Sequence, residues 1–308
     1  MPKNKSLVRQ FKEALQQKLR IGEGRHTAKQ EGVASEGIYS WGTYNDYRTK
    51  CSAFVKWVKT RHAIGGNGDG ISNGDSDGNK DSNNFAAKIR TLADCRPYID
   101  DYLRHYIENG YSPYTQKAIA CALAKLYGCS TKDFIPTQVR RRENITRSRK
   151  GKANAKFSEA NNQEFVDFCK SVGLRRAGIK MLKPEHLHYD EKSGQYFIAG
   201  LKGKGGRLLN NPILSQEAIE RIQNTPAGQK VWEKIPANPD IHSYRADYCR
   251  SIYERHARPI AEIPKHERYY CRNDLKGVVY DRRAMAIASR ALGHNRISVI
   301  AGHYLYAK

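Results

Sequence analysis

Residues 140–156, RRRENITRSRKGKANAK, most limit what this chain can fold into. Eight basic residues and one acidic residue leave that stretch no apolar period with which to enter a core, and like charges hold it open. Folded structure must therefore form separately on either side of it. A chain of 308 residues allows this, at about 150 residues per domain. Residues 65–84, GGNGDGISNGDSDGNKDSNN, are a second interruption, a flexible insert with too little apolar surface to offset its ordering entropy. Asn73, Asp75, Asp77 and Gly78 there match the opening of a calcium loop, but Asn84 stands where the closing glutamate is needed, so no metal site is expected.

Between these interruptions the apolar residues recur at helical spacing. Residues 5–20 carry Leu7, Phe11, Leu15 and Leu19 among charges; residues 41–60 carry Tyr44, Tyr47, Phe54 and Trp57. Helical patterning continues over 86–109 and 113–127, the latter opened by Ser112 and Pro113. Beyond the basic stretch, FSEANNQEFVDFCKSVG reads as a helix opened by Ser158 and closed by Gly173. Residues 195–213 read as two short strands around a glycine-rich turn, and helices then run to the end of the chain. The fold class is therefore mainly α with a small antiparallel β-sheet (α+β). The divisions are a basic N-terminal segment 1–38, a helical domain 39–139 containing the insert 65–84, a basic linker 140–156, and a second domain 157–308.

Charge narrows the function. Lysine and arginine total 54 against 31 aspartates and glutamates, a formal net charge of +23 that opposes compaction and is explained by a polyanionic partner. Nucleic acid fits, since neutralising phosphates releases condensed counterions. No run of about 18 apolar residues appears, so no membrane association is expected. The seven cysteines are scattered without a C-x-x-C pair, and isolated reduced thiols are expected. The GKGG turn lacks the rest of a phosphate-binding loop signature, and no cofactor is implied.

Several residues of the second domain suit a phosphate. Arg175 follows Gly173-Leu174; Lys204 lies in the glycine-rich turn; His242 and Arg245 are three apart at the opening of a helix; His294 follows Leu292-Gly293; and Tyr304 comes ten residues later. Singly these are weak. In this order they resemble the tyrosine recombinases, the phage-integrase-like site-specific DNA recombinases. GLRRAGIKMLKPEHL resembles that family's first arginine box, KGKGGRLLNNPI its β-hairpin lysine segment, HSYRADY its His-x-x-Arg box, and LGHNRISVIAGHY its Leu-Gly-His box with the nucleophilic tyrosine. Residues 40–127 are more loosely similar to the family's helical core-binding domain.

The resemblance implies a catalytic set of Arg175, Lys204, His242, Arg245, His294 and Tyr304 acting through a 3′-phosphotyrosine, without metal or cofactor. It implies double-stranded DNA recombination sites as partner, a homotetramer assembled from dimers, a phage or other mobile element as source, and a cytoplasmic setting. Lys202, Arg207, Arg147, Arg149, Lys150 and Lys152 are the expected DNA contacts. Tyr306 remains a second candidate nucleophile by spacing, and type IB topoisomerase-like relaxation or catalytically weak DNA-binding regulation remain alternatives. Physical chemistry agrees with the set: a phenolic oxygen can hold a phosphoryl group without external energy, and guanidinium forks suit the charge that develops on it. Gly178 stands where the family usually has an acidic residue. HERYYCRNDLKGVVYDRR (266–283) lengthens the interval before His294, either as a DNA contact or as an extra hairpin against the core.

Overall fold

The structure is a computed structural model that describes residues 5–65, 89–141, 157–203, 206–294 and 296–306. Arg147, Arg149, Lys150, Lys152 and Lys204 lie outside the described residues, as do the insert beyond residue 65 and most of the basic stretch. The chain divides into two compact units, Met1–Thr146 and Arg147–Lys308, and is mainly helical with small antiparallel sheets.

The first unit contains α1 (Leu7–Gln16), α2 (Arg25–Gln30), α3 (Trp41–Gly65), α4 (Leu92–Cys95), α5 (Ile99–Glu108) and α6 (Pro113–Tyr127). Its core joins Leu7, Phe11 and Leu15 of α1 to Phe54 and Val58 of α3, Leu103 of α5 and Leu123 of α6. Each such side chain contributes about 1.5–3 kcal/mol on burial. The start of α6 is as its sequence reads: the Ser112 hydroxyl accepts from Thr115 N at 3.2 Å, and Pro113 occupies the first turn. The helix expected over 86–109 is instead two helices divided by a 3₁₀ turn, Arg96–Tyr98, because Pro97 supplies no backbone N–H.

The second unit opens with α7 (Gln163–Val172) and α8 (Arg176–Met181). A three-stranded antiparallel sheet follows, β1 (Leu187–Asp190), β2 (Gln195–Lys202) and β3 (Leu208–Pro212), in the order β1-β2-β3. Then come α9 (Gln216–Gln223), α10 (Ile241–His256), a hairpin of β4 (Arg268–Tyr270) and β5 (Val279–Asp281), α11 (Arg282–Ala291) and α12 (Ile297–Ile300). A π-helical turn, Ala301–Leu305, continues α12. Two corrections to the sequence reading arise here. Strand β1 was not expected, its four residues being too few to establish a period. The Ser158 hydroxyl accepts from Asn161 N ahead of α7, beside the 3₁₀ turn Ala160–Asn162, and α7 begins at Gln163 because Asn162, at φ −132°, leaves helical geometry.

Helix α10 lies between two cores, and this positions the site. Ile241 and Tyr244 join a cluster built from α7, β2, β3 and α9, whereas Tyr248, Cys249 and Ile252 join one built from α11, α12 and the π-turn. Segment 266–283 forms the β4–β5 hairpin, with Tyr269 and Tyr280 packed on the second core. Asp281 is buried and binds the Arg258 guanidinium through both oxygens at 2.9 Å, while also accepting from the backbone N–H of Arg258 and of Arg283. All seven cysteines are free thiols.

Candidate active site

Two glycines at helix ends set the site's backbone. Gly173 closes α7 at φ +60°, and a Cβ there would fall 2.2 Å from the Tyr248 ring. That ring cannot retreat, because it is fully buried and its hydroxyl donates to Pro212 O at 2.7 Å. The chain then runs through Leu174 to Arg175, which is extended just before α8. Gly293, at φ +67°, closes α11 in a Schellman motif: Gly293 N donates to Arg290 O and His294 N to Ser289 O, each at 2.8 Å. The Leu-Gly-His sequence is thus a helix cap that delivers the imidazole at a fixed angle, reinforced by Ser289 Oγ donating to His294 O at 3.1 Å.

Arg245, only 1% exposed, projects from α10 into the seam between these ends. Its guanidinium donates to Gly173 O and Leu292 O, and its Nε–H has no partner among the described residues. Carbonyl oxygens hold this cation and, among the described residues, no carboxylate pairs with it. Burial pulls its pKa below the ordinary arginine value, and its hydrogen bond to Tyr304 acts in the opposite direction.

His294 joins the remaining groups. Its Nε2 is 3.2 Å from Tyr304 Oη and 3.5 Å from Arg175 Nη2. A guanidinium only donates, so Nε2 is the acceptor of a neutral imidazole with its proton on Nδ1, and its single lone pair serves either Arg175 or the Tyr304 hydroxyl at one time. The charge environment agrees: burial first, then Arg245, Arg175 and Arg207, depress the His294 pKa to about 4. Tyr304 is buried at 4% exposure, and the His242 ring lies 5.6 Å from its ring, centroid to centroid.

The structure therefore brings together Arg175, His242, Arg245, His294 and Tyr304, separated by up to 129 positions in sequence (304 − 175). Tyr304 is a phenol in contact with His294. Lys202 and Arg207 are both exposed on the β2–β3 hairpin, and the Arg207 charge reaches His294. The hairpin lies against the Leu-Gly-His turn, since a Cβ on Gly293 would meet Leu209 Cδ2 at 2.8 Å. Sequence reasoning missed His303, whose charge also bears on His294; adjacency to Tyr304 was the available signal. The carbonyls of Gly173 and Leu292 were also missed, and only the glycines beside them hinted at a role. Such a constellation can bind a tetrahedral anion against a phenol whose proton already has an acceptor.

Among the described residues, no cluster of potential metal ligands occurs and no helix is long and apolar enough to cross a membrane. No protein-family model matches the chain, and no curated protein matches it. Among solved structures, the chain is similar to the XerH site-specific recombinase in a post-cleavage complex with a palindromic difH substrate (12% identity, 98% of this chain and 91% of that one covered, TM-score 0.48). It is also similar to the Tn1549 transposon integrase in complex with circular intermediate DNA (10% identity, 98% and 96% covered, TM-score 0.39). A further similarity is to the XerA recombinase (11% identity, 98% and 94% covered, TM-score 0.28).

Proposed function

We propose that this protein cleaves and rejoins DNA strands as a site-specific tyrosine recombinase, through a covalent 3′-phosphotyrosine. The observation that carries the reading is the meeting of two arginines, a neutral histidine acceptor and a buried tyrosine hydroxyl in one seam. Arg175 and Arg245 would hold the non-bridging oxygens of the scissile phosphate, replacing the carboxylate that Arg245 lacks. Tyr304 Oη attacks phosphorus and passes its proton to His294 Nε2, 3.2 Å away, whose lone pair is free once Arg175 is engaged by the phosphate. The O–P bond to Tyr304 forms as the bond to the 5′-oxygen breaks, and that oxygen leaves as a hydroxyl after protonation, a role the proposal gives to Lys204. His242 would donate to the phosphoryl oxygens. Rejoining is the reverse, with a different 5′-hydroxyl attacking. Integration or excision of a mobile element, and assembly of four protomers on paired sites, extend the same proposal.

The test is a pool of nicked duplexes with randomised sequence around the nick, mixed with protein and resolved on a denaturing gel. Wild type is expected to yield a protein–DNA adduct, Tyr304→Phe none, and Arg175→Ala about 10²–10³-fold less. An adduct that survives Tyr304→Phe but not Tyr306→Phe would overturn the assignment.

A further inference from the structure

The β4–β5 hairpin takes no part in the chemistry described above. Residues 266–283 carry five basic side chains (Arg268, Arg272, Lys276, Arg282, Arg283) and three acidic ones (Glu267, Asp274, Asp281). Two of the acids share one partner outside the segment, since Glu267 and Asp281 both bind Arg258, which offsets one of their two charges and leaves the segment with Arg258 at +3 (5 − 3 + 1). What the hairpin turns outward is therefore mostly cationic. Strand alternation sends Tyr269 and Cys271 toward the core, and it puts Tyr270, 53% exposed, and Arg272 on the opposite face. Val278 is exposed beside them and Lys276 is exposed near the tip.

A second observation points the same way. Arg282 and Arg283 are exposed in the first turn of α11, where the helix dipole favours anions and disfavours cations. Asp281 at the N-cap offsets part of their charge, and an external anion would offset the rest. The hairpin is also rigidly tied to the candidate site. Asp281 anchors the start of α11, and the end of α11 presents His294 through its Schellman cap.

We infer that the 266–283 hairpin is a duplex-DNA contact, with Arg272 and Lys276 on phosphates and Tyr270 against the sugar–base edge. This rests on the proposed function for the identity of the polyanion.

The experiment measures fluorescence anisotropy of a labelled 30-base-pair mixed-sequence duplex against potassium chloride concentration. Four proteins are compared: wild type, Arg272→Ala/Lys276→Ala, Tyr270→Ala, and a control with equal charge removal elsewhere, Lys230→Ala/Lys234→Ala. Loss of two phosphate contacts should make the log–log salt slope about 1.8 shallower in the hairpin pair. The control should change it by less than roughly half of that. Tyr270→Ala should weaken binding with an unchanged slope. Melting curves establish that each variant is folded. A hairpin pair indistinguishable from the control overturns the proposal. So does a pair that binds DNA normally but shifts the free protein from oligomer to monomer in sedimentation, since the hairpin would then be a contact between copies. The covalent-adduct assay reads independently: adducts with an unchanged slope sink only the hairpin contact, whereas a shallower slope without adducts sinks only the recombinase chemistry.

Discussion

Gly173→Ala and Gly178→Ala are the same chemical change five positions apart (178 − 173), and they are expected to have opposite signs. At Gly173 the backbone is left-handed, φ +60°, which costs an alanine about 1–2 kcal/mol. The new methyl would lie 2.2 Å from Tyr248, a buried ring pinned by its hydroxyl, and such overpacking adds about 1–3 kcal/mol. The total, about 2–5 kcal/mol, is a large share of the roughly 5–15 kcal/mol that holds a domain folded. At about 2–4 °C per kcal/mol for a domain of this size, the melting temperature should fall by roughly 5–20 °C. Gly178 lies inside α8, and its Cβ would meet Leu174 at 3.5 Å, an ordinary contact. Alanine there gains about 0.5–1 kcal/mol of helix propensity, and the transition should rise by roughly 1–4 °C. Circular dichroism melts of the two variants beside wild type decide the matter. The adduct assay, run well below both transitions, should also show Gly173→Ala impaired, because Gly173 O is an acceptor for Arg245. If the two variants melt together, the close approach of Gly173 to Tyr248 is not what fixes this corner.

Acid should destabilise the protein in two windows. The folded chain resists protonating His294 until about pH 4 while the unfolded chain protonates it near 6.5, so this contribution is complete above 6.5 and is lost as pH falls toward 4. Asp281, whose pKa the Arg258 guanidinium holds well below the carboxylate range, adds a second loss below its ordinary value of 3.8. Proton NMR of the His294 ring should titrate near pH 4, and a midpoint near 6.5 would refute the cationic enclosure. Asp281→Ala should lower the melting temperature more than Asp281→Asn, because asparagine keeps an acceptor for the first turn of α11, a cap contributing about 1 kcal/mol. Equal effects would show that the cap is not what Asp281 provides.

Much of the scaffold was legible because local rules decided it. Ser112, Pro113 and Gly128 bound α6 as capping chemistry requires, and Gly173 ends α7 for the same reason. Strand β1 was not legible because four residues carry too little period and depend on β2 for pairing. Segment 266–283 forms a hairpin packed against the core, and that packing leaves its outward cations available for the DNA contact inferred above. Within the site, residue identities were readable from ordered boxes, whereas their convergence was not. Arg245 is buried only because two carbonyls from distant helix ends accept from it, and no spacing rule announces that. The state of His294 likewise depends on arginines that neighbour it only in the folded chain.

An antiparallel hairpin returns the chain to where it left. Arg268 and Asp281 are directly paired across β4 and β5, which puts their Cα atoms about 5 Å apart. The geometry entering α11 is therefore insensitive to how many residues lie between them. Material can be added or removed at this tip without rotating His294, much as a bracket can be lengthened without moving the shelf it supports. The reach of the protein along its partner and the alignment of its reacting atoms are thus set by neighbouring stretches of sequence that can change independently.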